Sequence, residues 1–262
     1  YADPHCHDFR RAVADVYGVS EEEVFVGNGA DEVLSFCLMS FFRPGMRIYF
    51  PDITYGFYRT YAKTYRLDMV EIPVKKDLGI DIEDYMDVDG DIIFANPNNP
   101  TGLMIPSKDI ERLVAKRADR MVIVDEAYID YAEDSCLPLA TRYPNLVVVR
   151  TFSKSRNLAG AHVGFAVASK EIIADMNKIK FSFNPFNLNS ITMAAGIAAV
   201  QDVEYLNDCV KKTIVVREET RRDLEEMGFF VIPSKANFLF VRHAWMDSEL
   251  LCQMLKEQGI LT

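Results

Sequence analysis

No apolar run approaches the roughly 20 residues needed to cross a bilayer, so the sequence contains no candidate transmembrane helix. Nor does a basic stretch followed by an apolar core and a small-residue cleavage site open the chain. Positive charge is in short supply: 29 Lys and Arg against 39 Asp and Glu give a net charge of −10. An acidic surface repels phosphate backbones, which excludes sequence-independent nucleic-acid binding. Cysteines are sparse and odd in number, at Cys6, Cys37, Cys136, Cys209 and Cys252, with no Cys-x-x-Cys pair. That pattern excludes a disulfide framework and suits the reduced thiols of a cytoplasmic protein. His5-Cys6-His7 alternates possible ligands, but no third cluster completes a set, so no metal site is expected. There is no low-complexity tract and no repeat.

What is present is ordinary globular material, 49% hydrophobic and 26% charged over 262 residues. Such a chain buries a large core, which excludes global disorder. Short apolar runs bounded by turn residues read as buried strands at 47–50, 69–72, 91–95, 121–124, 146–150 and 163–168. Between several of them lie helical patterns at 30–42, 55–65, 107–117 and 170–178. Alternating strands and helices predict an α/β fold with a mostly parallel central sheet and helices on both faces. After about Phe181 the texture changes. Residues 187–227 read as two long helices, followed by strands at 229–232 and 237–241 and a helix near 247–258. The expected division is a large domain over 1–185, and linking helices with a partial, smaller α+β domain over 186–262. The chain opens at Tyr1 without a methionine and stops just after Gly259-Ile260-Leu261, and the expectation is a piece of a longer polypeptide.

Four segments sit at or just after strand ends, where open α/β sheets bind ligands. Gly27-Asn28-Gly29-Ala30-Asp31-Glu32 is a tight turn into a helix whose free amides favour an anion. Asn96-Pro97-Asn98-Asn99-Pro100-Thr101-Gly102 is a rigid turn that holds Asn side chains in place. Asp125-Glu126-Ala127-Tyr128 ends a buried strand, where an acid needs a cationic or hydrogen-bonding partner. Thr151-Phe152-Ser153-Lys154 begins a loop that presents an amine between hydroxyls. Taken singly, these read as a turn, an Asx-capped turn, a helix cap and a solvated lysine. Together they meet every need of pyridoxal 5'-phosphate: amides and hydroxyls for the phosphate, an acid for the pyridine nitrogen, and a lysine for the aldehyde.

These four motifs, in this order and spacing, resemble the fold-type-I pyridoxal-phosphate aminotransferases, and among them most nearly the histidinol-phosphate aminotransferase family. The resemblance runs over nearly the whole chain, and it implies roles. Lys154 binds the cofactor covalently and shuttles a proton. Asp125 pairs with the pyridine nitrogen. Asn99 and Tyr128 bond the phenolic oxygen, and Tyr55 stacks on the ring. The amides of Ala30 and Asp31 and the hydroxyls of Thr151 and Ser153 hold the phosphate. Tyr1 reaches the phosphate of a neighbouring subunit, which implies a homodimer with shared sites, and Asn237 lies near the substrate. The implied activity is transfer of an amino group from histidinol phosphate to 2-oxoglutarate. An aromatic-amino-acid aminotransferase, a phospho-amino-acid decarboxylase and a non-catalytic binding protein on the same scaffold stay open.

One departure stands out. The family carries an arginine eight residues after the lysine, where this chain has His162. An imidazole gives at most one charged hydrogen bond where a guanidinium gives two. Arg156, two residues after Lys154, is a candidate to compensate. The aromatic run Phe181, Phe183, Pro185 and Phe186 reads as linker packing or as a wall of the substrate pocket.

Overall fold

The strands that read as continuous apolar runs are the ones with no exposed face. In β4 (Asp91–Ala95), β5 (Val122–Asp125), β6 (Leu146–Thr151) and β7 (Val163–Val167) every residue is buried. The structure, a computed structural model, describes residues 1–262. The remaining elements of the main sheet are β1 (Val24–Asn28), β2 (Arg47–Pro51) and β3 (Asp68–Ile72). The seven strands lie in the order β1-β7-β6-β5-β4-β2-β3. All neighbours from β3 to β6 are parallel, and β7 runs antiparallel to both β6 and β1.

Period-two alternation divides the sheet's side chains between two cores. Ile92, Phe94, Val122, Val124, Leu146 and Val148 face one layer, which holds α1 (His7–Tyr17) through Phe9 and Val13 and α4 (Ser107–Lys116) through Ile110 and Leu113. Ile93, Ala95, Ile123, Val147 and Val149 face the other. That second layer holds α2 (Gly29–Phe41), α3 (Phe57–Thr64) and α6 (Lys170–Phe183) through Val33, Leu34, Tyr58, Ile172 and Met176. The short α5 (Leu137–Ala140) belongs to the first layer.

Beyond residue 185, α7 (Ser190–Gln201) packs on the first layer through Val200. A Cβ on Gly196 would stand 3.0 Å from two ring carbons of Phe9. The 24-residue α8 (Val203–Glu226) leads to a separate antiparallel pair, β8 (Phe229–Ile232) and β9 (Phe240–His243), and then to α9 (Ser248–Glu257).

Two strands differ from the sequence expectation. The sequence does not mark β1 as a strand, because its apolar run Val24-Phe25-Val26 merges into glycines and reads as part of the turn. Pairing with β7, from Val24↔Val167 to Asn28↔Val163, makes it a strand. β9 begins at Phe240 rather than Asn237. The preceding residues turn instead, with the Ser234 Oγ accepting the Ala236 N–H at 3.0 Å. All five cysteines are free thiols, no cluster of potential metal ligands exists, and no helix is long and apolar enough to cross a membrane.

Candidate active site

β1, β4, β5 and β6 all point the same way, so their carboxyl ends open on one edge of the sheet. A cavity of about 180 Å³ lies there. Ten of the residues the motifs single out line it: Ala30, Asp31, Tyr55, Asn99, Asp125, Tyr128, Thr151, Ser153, Lys154 and His162. Asn28, Gly29, Ala95 and Ala127 complete the wall.

The phosphate-seeking end is built by close backbone contact. A Cβ on Gly164 would come within 2.5 Å of the Gly29 carbonyl carbon and 2.6 Å of the Ala30 nitrogen, so only glycine lets β7 meet the start of α2. Gly29 itself takes φ +83°. Glu32 fixes this turn by accepting the Asn28 N–H at 2.6 Å and the Asn187 amide at 2.8 Å. His162 adopts the left-handed conformation, φ 50° and ψ 58°, just before β7 begins. That turn carries its imidazole to the cavity beside Gly29.

Asp125 ends β5 and is 5% exposed. Its Oδ1 accepts the Ala127 N–H at 3.1 Å, and its Oδ2 accepts the Tyr58 hydroxyl at 3.1 Å. Burial pushes its carboxyl up to about 6; the two hydrogen bonds and the Lys154 charge pull the other way, and Asp31 adds to the rise. Burial, then the charge of Asp125, holds the Tyr58 phenol well above its ordinary range. Tyr58 lies outside the residues the motifs single out. The signal that carries it is the three-residue spacing of Tyr55, Tyr58 and Tyr61 within the helical pattern read at 55–65.

Lys154 follows β6 in a turn held by Thr151, whose Oγ1 accepts the Ser153 N–H at 3.1 Å and donates to the Ser153 Oγ at 3.0 Å. Its Nζ lies 5.3 Å from the centroid of the Tyr128 ring. The Asn99 amide donates to the Tyr128 hydroxyl at 3.2 Å. Tyr55 bonds Asp31 at 3.2 Å, and Tyr61 bonds the same carboxylate at 2.8 Å. Arg150, just before Thr151, pairs with the buried Glu126, just after Asp125, at 3.0 Å and bonds Ser135 at 2.8 Å.

Three further residues lie outside this cavity. Arg156 does not compensate for His162. It is buried, with its guanidinium donating to the Ala199 and Val200 carbonyls and, at 3.3 Å, to Tyr17, so it anchors the end of α7. Tyr1 is fully exposed and rests against Phe186, with ring centroids 5.1 Å apart. Asn237 is exposed and does not line the cavity, although its neighbour Phe238 packs edge-on against Tyr128 at 5.0 Å.

A mostly parallel sheet with one amine and one buried acid facing a single cavity at its carboxyl edge defines an α/β protein built for small-molecule chemistry. The chain belongs to the aminotransferase class I and II family, which it matches over residues 1–262. It is 45% identical over 262 residues to a histidinol-phosphate aminotransferase of Brachyspira hyodysenteriae, covering all of this chain and 74% of that protein. It is 43% identical over 261 residues to one of Clostridium botulinum, again over 74% of its length. Among solved structures, the histidinol-phosphate aminotransferase of Sinorhizobium meliloti in complex with pyridoxal-5'-phosphate superposes with a TM-score of 0.89 at 27% identity. That match covers all of this chain and 73% of the other.

Proposed function

We propose that the protein transfers an amino group from histidinol phosphate to 2-oxoglutarate, with pyridoxal 5'-phosphate as cofactor. The observation that carries this reading is that Asp125 and Lys154 line one cavity together with the start of α2. The donor set fits the cofactor. An acid this deeply buried demands a cation, which a protonated pyridine nitrogen provides. Lys154 supplies the amine that holds an aldehyde, Asn99 and Tyr128 supply donors for a phenolic oxygen, and Tyr55 supplies an aromatic face. The first amides of α2, the Thr151 and Ser153 hydroxyls and His162 line the same cavity and would hold the phosphate. When bound, the group supplies an electron sink for a carbanion at the substrate α-carbon. Lys154 Nζ would take and return the proton at that carbon, and Asp125 would hold the positive charge of the ring nitrogen. The substrate follows from the two relatives at 43–45% identity, which carry that name.

The reading extends to a homodimer in the cytoplasm. Tyr1 lies outside its own cavity, and Tyr1, Phe183, Phe186 and Ile191 are all exposed. Such an apolar surface suits a second copy, with Tyr1 offered to the neighbour's phosphate site. Asn237 is assigned to the substrate side, next to Phe238, which borders Tyr128.

The test is glutamate formation from histidinol phosphate and 2-oxoglutarate by the full-length protein. Efficient turnover of phenylalanine or tyrosine with no reaction of histidinol phosphate would replace the reading with an aromatic aminotransferase. Release of CO2 without glutamate would replace it with a decarboxylase.

A further inference from the structure

The carboxylate of Asp125 is held by a residue that never reaches the cavity. Tyr58 sits on α3, one turn beyond Tyr55, and is 2% exposed. Its ring packs edge-on against Phe50 at 6.1 Å and against Tyr55 at 5.6 Å. These contacts fix the ring, and the hydroxyl's one polar partner is Asp125 Oδ2. Asp125 Oδ1 takes the Ala127 N–H, so both oxygens are engaged within the protein. The remaining lone pairs are those toward the cavity.

We propose that Tyr58 is the positioning residue for Asp125: its phenol fixes the carboxylate's orientation and favours its ionised form, so that a cationic ring nitrogen meets a charge already in place. The significance for catalysis rests on the cofactor reading above, whereas the coupling of Tyr58 to Asp125 is a property of the protein alone. The other charged and titratable groups around Asp125 come from α2, from the segment between β2 and α3, and from the loops after β5 and β6. Asp31 disfavours its charge, and Lys154 favours it. Tyr55 and Tyr128 place phenol groups on the same cavity wall. None of these substitutes for Tyr58, because none bonds the Asp125 carboxylate. A donor placed rigidly on an ionised acceptor needs no reorganisation when the ligand arrives.

The test is Tyr58→Phe in the full-length protein, which removes one oxygen and leaves the ring packing. With aspartate carboxyl carbons labelled with 13C, and the signal assigned by Asp125→Asn, the Asp125 titration is followed by NMR without and with pyridoxal 5'-phosphate. Loss of a hydrogen bond to a charged group makes Asp125 bind its proton about tenfold to a hundredfold more tightly, so the cofactor-free titration moves up by about one to two pH units. The affinity for pyridoxal 5'-phosphate falls most on the acid side. An Asp125 titration unmoved by Tyr58→Phe would overturn the proposal. The unaltered protein gives a second measure: the Cζ resonance of Tyr58 inflects at the midpoint of Asp125, and a Cζ signal flat through that midpoint would also overturn it. If the unaltered protein fails to bind the cofactor, the functional reading falls, while the NMR coupling still decides the role of Tyr58.

Discussion

Besides Lys154, the only side chain on the cavity wall able to carry a positive charge is the His162 imidazole. Arg156 is committed to α7, so no guanidinium reaches the anion end. His162→Arg is therefore expected to tighten pyridoxal 5'-phosphate binding by about tenfold, the effect of gaining one charged hydrogen bond. Dissociation constants from absorbance titration test this, and an unchanged value would assign the phosphate to the α2 amides and hydroxyls alone. Lys154→Ala is expected to abolish both the visible absorbance of the bound cofactor and its fixation by borohydride. A Lys154→Ala protein that still formed glutamate would defeat the enzyme reading. The lysine, the acid and the hydroxyls were legible in the sequence, because each sits in a short motif with its own spacing. Tyr58 and the Arg150–Glu126 pair were not, because their partners lie 67 and 24 residues away.

At the scale of elements, the anion end depends on how closely β7 approaches α2. Gly164 makes that approach, with the start of α2 where its Cβ would stand. Gly164→Ala must push β7 and α2 apart, which costs about 1–3 kcal/mol of stability by overpacking. The same shift moves the Gly29 and Ala30 amides, so cofactor affinity falls along with stability. Urea unfolding and cofactor titration of one variant measure both, and a neutral result in either would show that the contact relaxes elsewhere. β1 shows why this device was hidden. Its own residues read as a turn, and only pairing with β7 makes them a strand that aims α2 at the cavity. The strands β4 to β7 were legible because burial on both faces leaves a near-continuous apolar run in the sequence.

For the molecule as a whole, an acid buried at the sheet edge is a liability without its ligand. Burial raises the folded Asp125 carboxyl to about 6 from 3.8. An acid raised on folding ionises first in the unfolded chain, so this group weakens the fold as pH climbs from about 4 to about 6. The loss is on the order of 3 kcal/mol and is complete above that window. Other carboxylates, such as Asp81 and Asp89, are held below their ordinary range and act in the opposite sense. The difference between Asp125→Asn and the unaltered protein isolates the term. The variant without cofactor should gain relative stability as pH rises from 4 to 7, read from thermal unfolding at each pH. A difference independent of pH would show that Asp125 titrates as an ordinary carboxyl. Cofactor binding should stabilise the unaltered protein at pH 7, because it supplies the missing cation.

Composition, apolar periodicity and four local motifs settled the α/β class, the two-faced sheet and most cavity-lining groups, because those properties follow from residues near one another in the chain. Folding decided what depends on distant partners. β7 turned Val24–Asn28 into a strand, α7 captured Arg156, and α3 brought Tyr58 to Asp125. Sequence spacing encodes which face a side chain takes. Only the closed tertiary packing determines which group waits on the other side.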